Sequence, residues 1–171
     1  MRTENQGRAP IAGDGVIHPA QLTAIAALLL NDHVWKAAWP GVVTGKISDF
    51  AGLAFFPSLL VGAWEITCAA LKRPFKPSRG VLFTAAIATA LVFSLVKLWP
   101  PAGTAYRLGW AAMQWPFLAL AALGSGRSTP ALHPVALVQD PTDLVALPAI
   151  AVAVWTGLGR VRRRAPGQQG R

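Results

Sequence analysis

From Phe50 to Leu71 the chain reads FAGLAFFPSLLVGAWEITCAAL, twenty-two residues with a single charge, Glu65. As an α-helix this run rises about 33 Å, enough to cross the ~30 Å hydrocarbon core of a bilayer. Three further runs of the same kind are expected to span: about Pro19 to Trp35, about Gly80 to Trp99 and about Pro141 to Leu158. Over all 171 residues 53% are hydrophobic and 13% charged, against about 25% charged in soluble domains. Apolar blocks of spanning length point to an all-α, integral membrane helical bundle rather than a globular core. The length suits one transmembrane domain, residues 19–159, and no second domain. Residues 1–18 are expected to be a disordered polar tail with no cleavable signal, and residues 160–171 a basic tail.

The ends of the runs carry local signals. Pro19 suits a first helical turn, Ser48 or Asp49 offers a cap to the second run, and Pro100-Pro101 stops the third. Asp140-Pro141-Thr142-Asp143 supplies a cap, a proline at the first position and an acid at the third. The stretch 106–123 is ambiguous, because Gln114 and Pro116 interrupt it and Leu108 to Leu123 would rise only about 24 Å.

The net charge of +9 resolves the count. It lies in clusters flanking the runs, Lys72 to Arg79 and Arg160 to Arg164, which is the placement of topological anchors rather than of a nucleic-acid surface. Were 106–123 a full span, the two clusters would face opposite sides, against the positive-inside rule. Four spans plus one re-entrant or interfacial segment put both clusters and both termini in the cytoplasm; five spans are the alternative.

That topology gathers Asp32, His33, Lys36, Lys46, Asp49, Lys97, Tyr106, His133, Asp140 and Asp143 at the outer boundary. Asp32 and Lys36 stand four apart, acid first, in the favourable order for an ion pair. His33 points about 100° away from Asp32. Asp49 and Asp143 each fall in an expected first turn, where capping alone accounts for them, and Asp140 reads as a cap. Together, Asp32, His33, Asp49 and Asp143 form the candidate reactive set, with Lys36, Lys46 and Asp140 as candidate binding groups. Lys97 is expected to snorkel to water. Glu65, deep in the second run, is expected to face the bundle interior or reach Lys72 or Arg73. Cys68 has no second cysteine to pair with. Gly41 to Lys46 is one residue short of a phosphate loop, and Ser48 has no histidine beside it to make it a nucleophile.

At Asn31-Asp32-His33, Thr44-Gly45-Lys46-Ile47-Ser48-Asp49-Phe50-Ala51-Gly52-Leu53 and Asp140-Pro141-Thr142-Asp143-Leu144 the chain resembles a family of small bacterial multi-pass membrane proteins, a likeness that carries no activity with it. It also resembles, less closely, VanZ-like membrane proteins, which have Asp and His near one helix end and an Asp at the start of a later helix. It departs from them in spacing and lacks their Tyr after the His. These resemblances imply a multi-pass fold in the bacterial plasma (inner) membrane.

The expected function is a polar Asp/His/Lys site at the outer interface that recognises or processes a lipid or cell-envelope headgroup, with membrane lipids as partners. Two alternatives stay open: a transporter or channel component moving ions or protons through Glu65 and Asp32, and a non-catalytic structural or assembly protein. Whether the site is enzymatic, and whether carboxylates with His33 hold a hard cation, also stays open. The cofactor stays open as well.

Overall fold

The structure is a computed structural model and describes residues 11–163; the remaining parts of the expected tails, 1–10 and 164–171, lie outside the described residues. Among these the secondary structure is entirely helical. Three helical stretches are long and apolar enough to cross a membrane: Val42–Ala70, Arg79–Leu98 and Pro141–Arg163. The chain divides into two compact units, one made of residues up to Ala90 together with those from Val145 onward, the other of Leu91–Leu144.

In the first unit α1 (Pro19–Leu30) opens with Pro19, and His18 caps it by accepting the Ala20 N–H on Nδ1 at 3.2 Å. The helix continues through a π-helical turn, Asn31–Trp35, into a final α-turn, Lys36–Ala38. Only Trp39, Pro40 and Gly41 then separate it from α2 (Val42–Ala70), so α1 and α2 form an antiparallel helical hairpin.

α2 begins about two turns earlier than the sequence suggests. The expectation that Ser48 or Asp49 caps it is therefore corrected: both lie in its second turn. Thr44 does the work instead, accepting the Gly41 N–H at 3.2 Å and donating to the Trp39 or Gly41 carbonyl at 3.2 and 3.0 Å. At its far end the chain turns through Lys72 at φ 54°, with the Arg73 N–H returning to the Cys68 carbonyl at 2.8 Å. This is a left-handed helix stop of the kind glycine usually makes.

α3 (Arg79–Leu98) and α4 (Pro100–Gly124) follow, and α5 (Ile150–Arg163) is preceded by a 3₁₀ stretch, Pro141–Ala149. The Pro100-Pro101 pair ends α3 as expected and immediately starts α4, where the missing N–H of Pro100 costs nothing.

α1 and α5 both pack on α2. Most of the buried apolar residues at these helices are small, Ala24, Ala51, Ala54, Gly62 and Ala153, with Leu53 the large exception and the hydroxyls Ser58 and Thr156 beside them. Most of the large apolar side chains face out, among them Phe56, Leu59, Leu60, Trp64 and Ile66 on α2. A water-soluble helix buries such residues and exposes the small ones. The reverse arrangement is how helices approach closely in lipid, where outward apolar surface costs nothing.

Residues 11–18 correct the expectation of a disordered tail through residue 18. Asp14–Ile17 form a 3₁₀ turn that lies on α2 and α5. Gly62 makes room for it: a Cβ there would come within 2.8 Å of the Val16 side chain.

In the second unit, α4 is one unbroken helix of 25 residues with Pro116 inside it. The ambiguous stretch 106–123 thus lies inside one continuous helix. After Gly126 the chain runs back along α4 as an extended strap. The Trp115 indole donates to the Pro130 carbonyl at 2.8 Å, the Arg107 guanidinium to that of Val135 at 2.9 Å, and the Gln139 amide to those of Val96 and Trp99 at 2.8 and 3.3 Å. Gly103 lets the strap close up, because any side chain there would collide with Gln139.

Candidate functional site

The expected site residues fall into three clusters. The first sits where α1 meets the start of α2. The π turn places Asn31 wholly inside and Asp32 on the surface. The Asn31 amide donates at 2.7 Å both to the Thr44 carbonyl and to the Ser48 hydroxyl, and the Ser48 hydroxyl donates at 2.6 Å to Asp32 Oδ1. Asp32 also pairs with Lys36 at 2.7 Å, both side chains about two-fifths exposed (39% and 41%). The ion pair expected from the spacing is therefore formed, and Ser48, read before only as a possible cap, is its third member. The signal for it was the i, i+4 spacing of Thr44 and Ser48 on one helix face.

Lys46 and Asp49, on either side of Ser48 on α2, are half-buried. His33 turns away, with Nδ1 at 3.0 Å from the Leu29 carbonyl and the ring exposed. It reaches neither Asp32 nor Ser48 in this geometry, so Ser48 lacks a general base of the triad kind. The cluster presents a carboxylate and an ammonium side by side at the surface. Among the described residues no group of three or more His, Cys, Asp and Glu stands together so as to hold a metal ion.

The second cluster lies in the other unit. Asp143 is buried and pairs with Lys97 at 2.6 Å; Lys97 is itself buried, with its ammonium 5.5 Å from the centre of the Phe93 ring. The expectation that Lys97 snorkels to water is corrected: a buried carboxylate needs a cation beside it, and this lysine is within reach. Asp140 is the cap it was expected to be, accepting the Thr142 N–H at 2.8 Å.

The third cluster surrounds Glu65. It faces inward as expected, but its partner is neither Lys72 nor Arg73. Arg160 grips it with two nitrogens, at 2.5 and 2.8 Å, and the Gly13 N–H donates to it at 3.0 Å. The same guanidinium pairs with Asp14 and reaches the Ile11 carbonyl at 3.3 Å. Held by these three donors, the carboxylate locks residues 11–14, α2 and α5 together. Nearby, Gln21 on α1 donates to Thr156 on α5 at 3.0 Å.

The first and third clusters are at opposite ends of α2, since Ser48 and Glu65 are separated by about 25 Å of helix. The Glu65 end also carries both basic clusters. Arg160 meets Glu65 there, and Gly157 lies so close to Leu82, three residues past Arg79, that a Cβ would come within 2.6 Å of it. Compared with models of known families, with curated proteins and with solved structures, the chain matches none.

Proposed function

We propose that the chain is a multi-pass protein of the bacterial inner membrane whose Asp32–Lys36–Ser48 cluster, at the outer boundary, binds a lipid or cell-envelope headgroup. The outward apolar surface of α2 supports membrane insertion. The gathering of Lys72 to Arg79 and Arg160 to Arg163 at one end supports a cytoplasmic position for that end, which leaves the Asp32 end outside. Four spans with α4 at the interface fit best. The strap beside α4 is largely exposed, and irregular backbone exposed to lipid does not occur within the hydrocarbon core.

The observation that carries the binding role is the exposed Asp32–Lys36 pair, fixed from beneath by Ser48 and buried Asn31. A headgroup with both an amine and a phosphate matches it: the amine replaces Lys36 at the carboxylate, and the released ammonium meets the phosphate. Lys46 and Asp49, on either side of Ser48, widen the surface. The test is binding of short-chain phosphatidylethanolamine to the purified protein in detergent, by calorimetry. Asp32→Asn is expected to weaken it about tenfold, the worth of a hydrogen bond to a charged group. Equal affinity in wild type and variant would dismiss the assignment.

A further inference from the structure

A cavity of about 550 Å³ opens within the first unit, at the end opposite Asp32. Its size is that of a small-ligand pocket. One wall is apolar, with Ile17, Val61, Leu82 and Trp155; another is bare backbone at Gly15, Gly62, Gly157 and Gly159. Ser58 also lines it and is 7% exposed, and among the described residues its hydroxyl has no hydrogen-bond partner. At the mouth are Arg160, already engaged by Glu65 and Asp14, and Arg163, which is exposed. The lining is thus amphiphilic along its length, with an apolar slot, a buried hydroxyl and a cation at the rim.

We infer that this groove is a binding site for one anionic phospholipid, with its phosphate on Arg163, a glycerol ester on Ser58 and one acyl chain along Val61, Leu82 and Trp155. Charge complementarity selects the occupant. Asp14 and Glu65 share the single cation Arg160 and leave one net negative charge, which Arg162, Arg163 and the nearby Lys72, Arg73, Lys76 and Arg79 outweigh. The inference does not depend on the Asp32 site, which lies at the other end of α2.

Gly159 gives a clean steric test. It lines the cavity, and a Cβ on it meets nothing within 4 Å, so a larger side chain enters the groove without disturbing the helices. Native mass spectrometry of the full chain in detergent, titrated with phosphatidylglycerol or with phosphatidylcholine of the same acyl chains, reads occupancy directly. Wild type is expected to take up one phosphatidylglycerol in preference to phosphatidylcholine. Arg163→Gln should weaken this about fivefold, the effect of one basic residue near an anionic surface. Gly159→Leu should abolish it, and Gly159→Ala should retain it. Equal uptake of the two lipids, or phosphatidylglycerol uptake unchanged in Arg163→Gln, would overturn the inference, as would undiminished uptake in Gly159→Leu.

Discussion

Replacing Arg160 by methionine removes the cation that two carboxylates share and keeps most of the apolar stem. The loss can be scaled from the geometry. Glu65 is 3% exposed and would be left with the Gly13 N–H as its one remaining donor at 3.0 Å. Breaking a buried ion pair in this way costs about 3–5 kcal/mol, because one charge stays behind without compensation. Asp14, 22% exposed, recovers part of its hydration from water. Glu65→Gln should cost less, about 1–2 kcal/mol: Arg160 keeps Asp14, and the amide oxygen still accepts from Gly13. The double variant Glu65→Gln/Arg160→Met should then be more stable than Arg160→Met alone, since Glu65 no longer carries a charge and only Asp14, 22% exposed, loses Arg160. Equilibrium unfolding in mixed dodecyl sulfate and non-ionic detergent micelles, followed by far-UV circular dichroism, measures all three. An Arg160→Met variant within about 0.5 kcal/mol of wild type, or strictly additive single effects, would refute the lock.

The glycines offer a graded test in the same assay. Gly157→Ala, pressed against Leu82, and Gly62→Ala, pressed against Val16, should each cost about 1–3 kcal/mol, whereas Gly159→Ala should be neutral or gain up to about 1 kcal/mol in helix propensity. In the second unit, Lys97→Met and Asp143→Asn should each destabilise by about 3–5 kcal/mol, and Lys97→Met/Asp143→Leu should recover most of it; a double variant as unstable as the singles would contradict the buried pair. Lys72→Gly should stabilise by about 1 kcal/mol, because the left-handed turn at φ 54° strains any residue with a Cβ; a thermal scan in detergent that shows no rise would argue against that turn.

The runs of apolar residues and their proline punctuation were legible from the sequence. Periodicity and capping are local, and α1 at Pro19 and the α3–α4 junction at Pro100 begin where those rules put them. The start of α2 was not legible. Asp49 looks like a cap, yet a threonine hydroxyl at position 44 starts the helix first. The i, i+4 pair Asp32–Lys36 could be read from spacing alone; its support by Ser48 needed the α1–α2 turn to be known. Glu65 is the clearest limit. Its depth in an apolar run announced a partner, but that partner lies 95 positions away, beyond the local bases spacing can nominate. Asp14 was hidden by composition, since a polar Gly-containing stretch reads as a tail unless a buried arginine is known to wait for it. Lys97 and Asp143 pair across 46 positions for the same reason.

Sided labelling tests the central claim, that the Asp32 cluster and the basic end face opposite sides of one membrane. In a Cys68→Ala background, His33→Cys and Arg162→Cys place single thiols at exposed positions of the two ends. A membrane-impermeant maleimide applied to intact spheroplasts should label His33→Cys at once and Arg162→Cys only after permeabilisation. Labelling of both from the same side would contradict the topology and, with it, the assignment of the Asp32 cluster to an outer headgroup.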